Sequence, residues 1–372
     1  MQIYKSKWMC TGCTACSSIC SKNAITMQAD DEGFLYPHIA EELCIECGMC
    51  MKVCHTHDEE KINNMEYAFC FINEDSKVLE NSSSGGAFSY ISQVIREKNG
   101  WVSGAVFDKL LNVRHIVSRK QNDIEQMRGS KYVQSKLETT FCDIKKLLDS
   151  GEQILFTGTP CQVIGLKNFL RKDYINLTCV DFVCSSIPSP LIYSKYLEMK
   201  EQEIGKIESI SFRDKKEGWE QYGVKFYTQD GEVYEPHKQN LYLSGFMGAL
   251  YSRECCEECP AKERIGYMSD ITLGDLWGAD VLIPESDYKK GASLVIVHSE
   301  KGMEIMRDAK KVSIDMNQVV EYNPRYRNSH CANRDRDIFW SIVRKKGLKK
   351  AYRYIYHPGF LRKIQLKVRK KT

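Results

Sequence analysis

Two stretches decide how this chain begins to fold: CTGCTACSSIC, Cys10 to Cys20, and CIECGMCMKVC, Cys44 to Cys54. Each reads C-x2-C-x2-C-x3-C. Three cysteines at two-residue gaps let successive thiolates wrap one cube of iron and sulfide, while the fourth points away and ligates the other cube. The spacing therefore assigns Cys10, Cys13, Cys16 and Cys54 to one 4Fe–4S cluster, and Cys44, Cys47, Cys50 and Cys20 to a second. Zinc prefers two C-x2-C pairs split by a longer loop. The proline usual after the fourth cysteine is Ser21 in one run and His55 in the other, which changes the local turn and removes no ligand.

The duplication defines a unit over residues 1–58. The chain has 372 residues and 17 cysteines, an odd number. Met1 to Lys7 lacks the basic-then-apolar pattern of a secretory leader, so metal or redox chemistry explains the cysteines better than disulfides, and a cytoplasmic setting is expected. At 42% hydrophobic and 27% charged residues the composition is that of a soluble globular protein and excludes a collagen-like or disordered chain. No uncharged run reaches the length of a spanning helix. The net charge of +4 hides an asymmetry. Residues 344–372 hold 12 Lys and Arg and no acid, leaving 41 Lys and Arg against 49 Asp and Glu in the remainder.

Residues 59–80 read as a linker, polar with a short apolar run from Tyr67 to Ile72. From residue 81 the pattern turns α/β and continues without a low-complexity break to about 340. Ser82 to Gly86 precede a helix carrying Phe88, Ile91, Val94 and Ile95. Strands are predicted over 101–107, 113–117, 153–157, 177–183, 209–212, 222–227, 271–273 and 293–298, and helices over 140–148, from Pro160, and over 301–310. Cys161 opens a helix after a strand and Cys184 ends a strand, both at carboxyl ends, where α/β sheets place their sites. Cys256-x2-Cys259 supplies two ligands of a metal site whose others must come from elsewhere. Residues alone leave that site and plain buried thiols both open. Cys70, Cys142 and Cys179 read as small buried hydrophobes. Ser82–Gly86 and Gly158-Thr159-Pro160 are each either anion cradles or ordinary helix caps. No G-x-G-x-x-G is present.

Taken together, Ser83-Ser84-Gly85-Gly86, Arg128-Gly129-Ser130-Lys131-Tyr132, Gly158-Thr159-Pro160-Cys161-Gln162, Val180-Asp181 to Cys184, Cys256-x2-Cys259 and Ser269 to Gly278 (SDITLGDLWG) make the chain resemble the beta-subunit family of coenzyme F-420 (deazaflavin) hydrogenases and dehydrogenases, with a two-cluster ferredoxin domain in front. The resemblance implies an α+β protein: a ferredoxin-like two-cluster domain over 1–58, then a large α/β domain over 81–340 that binds FAD and a third 4Fe–4S cluster. It makes Cys161, Cys184, Cys256 and Cys259 the third ligand set, with Cys255 as the alternative to Cys256. It places FAD against Ser83, Ser84, Gly85 and Gly86, against Lys131, Tyr132, Gln134 and Ser135, and against Gly158, Thr159 and Pro160. Lys131 is the candidate to stabilise reduced-flavin charge. Relatives commonly carry His after the cysteine matching Cys184; here it is Ser185.

Clusters move single electrons, hydride partners move pairs, and a flavin converts between them. The implied activity is an iron–sulfur flavoprotein oxidoreductase exchanging electrons with ferredoxin or a partner redox subunit. The alternative is a subunit that only feeds a partner enzyme. Nucleic acid is not an expected partner, because the body is acidic and no binding motif occurs. Residues 341–372 read as a basic helical tail in which Leu361, Ile364 and Val368 share one face. The tail is either a solvated helix packed on the acidic body or a weak attachment to an anionic membrane surface. Co-sedimentation with anionic vesicles distinguishes these. Salt-sensitive binding by the full chain, lost on truncation after Tyr356, is the membrane outcome, since each Lys or Arg near such a surface contributes about 1 kcal/mol. Equal, negligible binding by both chains leaves the packed helix.

Overall fold

The computed structural model describes residues 2–58, 61, 65–264 and 266–357. The cysteine-rich N-terminal unit is built around an antiparallel pair, β1 (Ile25–Ala29) and β2 (Leu35–Ile39). The bulk of the chain forms a mixed eight-stranded sheet. Its strands are β3 (Tyr67–Phe71), β4 (Trp101–Phe107), β5 (Val113–Ser118), β6 (Ile154–Thr157), β7 (Leu177–Phe182), β11 (Ile271–Asp275), β12 (Ser293–Val297) and β13 (Lys311–Ile314). Their spatial order is β13-β3-β12-β11-β7-β6-β4-β5. The central strands β4, β6, β7 and β11 run parallel, and the outer pairings are antiparallel. A separate antiparallel sheet joins β8 (Ile207–Asp214), β9 (Gly223–Thr228) and β10 (Gly231–Pro236).

Both faces of the large sheet are covered, which is why its central strands read as continuous apolar runs rather than alternating ones. Every residue of β12 is buried. On one face Leu155, Val180, Ile271 and Val295 pack with Ile91 and Ile95 of helix Ala87–Glu97. On the other, Ile154, Phe156 and Cys179 meet Phe141 and Ile144 of helix Thr140–Asp149 and Val163 and Leu166 of helix Pro160–Leu170. A second core lies under the three-stranded sheet, where Phe212, Val224 and Phe226 pack with Tyr196, Tyr242 and Trp340.

Three sequence expectations are corrected. The expected linker over 59–80 contains β3, which pairs with both β12 and β13 inside the large sheet. Phe69 and Phe71 face one core layer while Ala68 and Cys70 face the other, so the short apolar run is a strand buried on both sides. The expected tail begins too early. Helices Arg336–Lys346 and Leu348–Tyr356 bury Val343, Leu348, Ala351 and Tyr352 in the second core. The apolar face at Leu361, Ile364 and Val368 lies outside the described residues. The helix expected over 301–310 is Glu300–Ile305, because the chain turns at Met306 and enters β13 at Lys311.

Helix Pro190–Ile204, not anticipated, starts with Ser189 accepting from Ile192 N and Pro190 in the first turn. That Ser-Pro pair was a legible start signal. The remaining predicted strands and the helix from Pro160 form within a residue or two of their expected bounds, except that the strand anticipated over 209–212 is longer and spans Ile207–Asp214. No helix among the described residues is long and apolar enough to cross a membrane. Because Ile296 is fully buried on β12 and Ile175 is 92% exposed, Ile296→Ala should cost about 2–5 kcal/mol and Ile175→Ala within about 0.5 kcal/mol, read as shifts of the urea midpoint.

Candidate iron–sulfur centres

The sequence duplication in residues 10–54 reappears in the backbone. Cys16 and Cys50 each sit in a one-turn helix, Ala15–Ser18 and Met49–Lys52, entered through a left-handed residue, Thr14 in one and Gly48 in the other. Gly12 and Glu46, two residues earlier, are also left-handed. These turns aim thiols inward from short loops that regular secondary structure could not supply.

Cys10, Cys13, Cys16 and Cys54 line one small pocket, together with Tyr4, Thr14 and His55. This is the set that the crossed-ligand spacing predicts. Burial pushes the Cys13 thiol up to about 12 and raises those of Cys10 and Cys16, and neighbouring cysteines raise them further. Buried thiolates crowded in this way repel one another and are stabilised by a cation among them. Two buried polar atoms at the cavity, Thr14 Oγ1 and His55 Nδ1, have no hydrogen-bond partner among the described residues. These observations fit an iron–sulfide core. In the second set, burial raises the Cys50 thiol, which also feels Cys47 and Cys20. Cys47 is exposed, beside Leu43 and Ile45 at 51% and 60% exposure.

Cys161 and Cys184 follow β6 and β7, adjacent parallel strands, so their loops open on the same end of the sheet. Thr159 caps the helix that begins at Pro160, its side chain and that of Gln162 forming a reciprocal capping box. This places Cys161 in the first turn with its Sγ 3.1 Å from Thr159 Oγ1. Cys256 ends the short turn Glu254–Cys256 and Cys259 precedes helix Pro260–Glu263. Cys161 and Cys184 each feel the charges of both Cys256 and Cys259. Burial pushes the Cys259 thiol up to about 11 and the Cys161 and Cys184 thiols higher. Among the described residues no three His, Cys, Asp or Glu side chains gather tightly enough for a single metal ion. A four-iron core would occupy the space between its thiolates.

The two cysteine regions touch. A Cβ on Gly165, in helix Pro160–Leu170, would lie 2.7 Å from Cys13 Cβ and 3.0 Å from its Sγ. The helix that carries Cys161 in its first turn therefore runs against the first ligand set one turn later, and only glycine fits at the contact. Arg253 also spans the junction. It is fully buried, and its Nε donates to Cys10 O at 2.7 Å. Sequence reasoning passed it over, although its place two residues before Cys255 marked it as a donor beside a ligand loop.

The residues expected around FAD fall into two groups joined by the segment 129–136. At one end Ser83 Oγ accepts from Ser130 N at 2.7 Å, Ser84 Oγ donates to Ala292 O and Gly85 N donates to Ser293 Oγ. Gly85 lies so close to Phe71 O that a Cβ would come within 2.3 Å of it, and Gly86 is left-handed at φ +84°. Lys131 Nζ donates to the carbonyls of Met127, Arg128 and Gly129, and burial pushes its ammonium down to about 7. The Tyr132 ring lies 5.0 Å from that of Phe246. At the other end Gln134 reaches Thr11 O and Arg253, and Ser135 Oγ lies 2.7 Å from His115 Nδ1 and accepts from Gln162 Nε2. Gly158 and Pro160 flank Thr159 at the same point. Beside Ser83 sits Arg213, 6% exposed, paired with Asp275, its Nε without a hydrogen-bond partner among the described residues.

The SDITLGDLWG stretch is largely structural. Asp270 accepts from Cys179 N and from Ser299 Oγ, tying β7 to the end of β12, while Asp275 holds Arg213 and accepts from Trp219 Nε1. Trp219 stacks on Trp277. Asp181, on β7, is pushed up to about 7 by burial and accepts from Thr272, whose Oγ1 lies 2.8 Å from His298 Nε2.

A sulfur-lined pocket on a ferredoxin-like unit and a mixed α/β body point to the class, an iron–sulfur redox protein. Residues 9–57 match the 4Fe-4S dicluster domain, and residues 151–321 match the family described as the C terminus of the coenzyme F420 hydrogenase/dehydrogenase beta subunit. The expected resemblance to that beta-subunit family, behind a two-cluster domain, thus holds in both parts. A coenzyme F420-dependent sulfite reductase from Methanocaldococcus jannaschii is 23% identical over 311 residues. The match covers 80% of this chain, which spans about half the relative's length, 45%. Among solved structures, a chain of the F420-reducing [NiFe] hydrogenase complex from Methanosarcina barkeri matches at TM-score 0.45 and 16% identity, over 80% of this chain and 93% of that one.

The Gly165 contact yields a test in which two effects oppose each other. Alanine is the better helix former by about 1 kcal/mol, but its methyl would displace Cys13. Gly165→Ala should therefore lower iron content and thermal stability of anaerobically purified protein. A variant with full iron and a raised melting temperature would show that the contact constrains nothing.

Proposed function

We propose that the chain is an iron–sulfur flavoprotein oxidoreductase passing electrons between an external redox protein and a two-electron substrate. The path runs through the clusters of the N-terminal unit, a third cluster on Cys161, Cys184, Cys256 and Cys259, and FAD. The observation that supports this reading is the contact of Cys13, in the first ligand set, with Gly165 of the helix Pro160–Leu170 that carries Cys161 in its first turn. When bound, the clusters supply single-electron transfer and the flavin pairs electrons for the substrate.

The chain's own residues hold and insulate these groups. Gly12 and Thr14 turn the backbone so that three thiols converge. Thr159 orients the turn at Cys161. Arg213, buried beside Ser83 with an unpartnered Nε, fits an anionic group such as the phosphates of FAD at the Ser83–Gly86 turn. Exposed Leu43 and Ile45 next to Cys47, with Glu41, Glu42 and Glu46 nearby, offer an apolar and acidic face where the external partner reaches the second cluster. The same face supports the second reading, a subunit that feeds a partner enzyme. The sulfite chemistry of the relative is not carried over, because this chain spans less than half of it.

Iron and flavin content test the proposal. Anaerobically purified protein should hold about twelve irons and one FAD, from three 4Fe–4S clusters. Cys259→Ala should lose about four irons and keep the ferredoxin-type signals. Eight irons in the parent protein would remove the third site, and the absence of extractable flavin would remove FAD.

A further inference from the structure

Arg253 is a buried cation. It is fully buried, and among the described residues no carboxylate is among the charges that act on it most strongly. A guanidinium moved out of water without a counter-charge is strongly destabilising. Its contacts are dipoles and rings: Nε to Cys10 O at 2.7 Å, Nη2 to Leu35 O at 3.0 Å, Nη1 to Gln134 Oε1 at 3.4 Å, and the guanidinium 4.2 Å from the centroid of the Tyr36 ring. The remaining contact is Nη2 to Cys10 Sγ at 3.8 Å. The charges it feels are those of Cys10, Cys255, Tyr36 and Cys256, with Cys10 the largest of them.

The space it occupies is kept open by glycine. A Cβ on Gly12, inside the first cysteine run, would stand 3.0 Å from Arg253 Nη1 and 2.9 Å from Gln134 Nε2. The first ligand loop is thus shaped to admit a guanidinium from the other domain, two residues before that domain's own Cys255.

An iron–sulfide core on four thiolates carries net negative charge and gains one more unit when it accepts an electron. Hydrogen bonds to its sulfurs and nearby fixed charge set its potential. We infer that Arg253 supplies the missing counter-charge and tunes the cluster held by Cys10, Cys13, Cys16 and Cys54, raising its potential relative to the second cluster so that electrons entering at the exposed Cys47 face are drawn inward. The inference rests on the iron–sulfur reading above. One electron enters the cluster from its donor, no bond is made or broken, and Arg253 keeps its proton throughout. It is a positioning residue that acts through Cys10, and its fixed charge favours the reduced state.

The test is potentiometric titration followed by electron paramagnetic resonance, in a Cys259→Ala background that leaves the two N-terminal clusters to titrate. Arg253→Gln should lower the midpoint of one cluster and leave the other where it was, with iron content unchanged. Arg253→Lys, which keeps the charge but loses the planar fork that reaches Cys10 Sγ and Leu35 O together, should give a smaller shift in the same direction. If Arg253→Gln does not load iron, Arg253→Lys decides: a lowered midpoint supports the inference and an unchanged one overturns it. Full iron with unchanged midpoints in both variants would make Arg253 a purely structural clamp and overturn the inference. Parent protein without a cluster at the first set would overturn the iron–sulfur reading itself, and the inference with it.

Discussion

Buried thiolates crowded together repel one another and are stabilised by a cation among them, and that constraint organises this molecule. The first ligand set is lined by Tyr4, Pro37 and His55, and burial, with the neighbouring cysteines, raises the thiols of Cys10, Cys13 and Cys16. Such a pocket is costly as an empty feature of a fold and reasonable as the seat of a positively charged core. The same holds at Cys161, Cys184, Cys256 and Cys259, where desolvation and mutual repulsion act together. Each region needs what the other elements provide: short left-handed turns to aim the thiols, and a rigid body to keep water away.

The rigid body is the large sheet and the helix Pro160–Leu170. That helix is buried along nearly its whole length, with Pro160, Val163, Ile164, Leu166, Phe169 and Leu170 all inside. A helix apolar on every side must be enclosed by other elements. Here they are β6 and β7 on one flank and the cysteine-rich unit on another. Gly165 is where the unit comes closest. The packing of the N-terminal unit onto the body is therefore part of the core, and Arg253 reinforces it from the other side through Cys10 O and Leu35 O.

Much of the site was legible in order along the chain. The crossed ligand pairing followed from spacing, because C-x2-C-x2-C-x3-C restricts where four thiols can point, and the cavity lined by Cys10, Cys13, Cys16 and Cys54 agrees with it. Cys255 and Cys256 both pack with Cys161 and Cys259, so the choice between them that spacing left open stays open. The β3 strand was missed because five apolar residues in a polar stretch carry no sign of which sheet they will join. Helix Pro190–Ile204 was missed although Ser189-Pro190 announced it, since its mixed polar pattern gives little helical periodicity. Arg253 could be flagged only as a donor beside the Cys255 loop, and its contact with the first ligand set was not legible, because Cys10 lies 243 residues away in sequence.

What the sequence by itself determined is the local chemistry: which thiols can share a core, where the helix at Pro160 starts, and where most of the strands run. These depend on spacing, capping and periodicity, all short-range properties of the chain. What only the tertiary structure decided is how the two regions face each other, through Gly165 against Cys13 and Arg253 against Cys10. Those contacts join residues far apart in sequence. They exist because the body offers one helix face and one buried cation that complement the first cysteine loop, a match of shape and charge that no local pattern records.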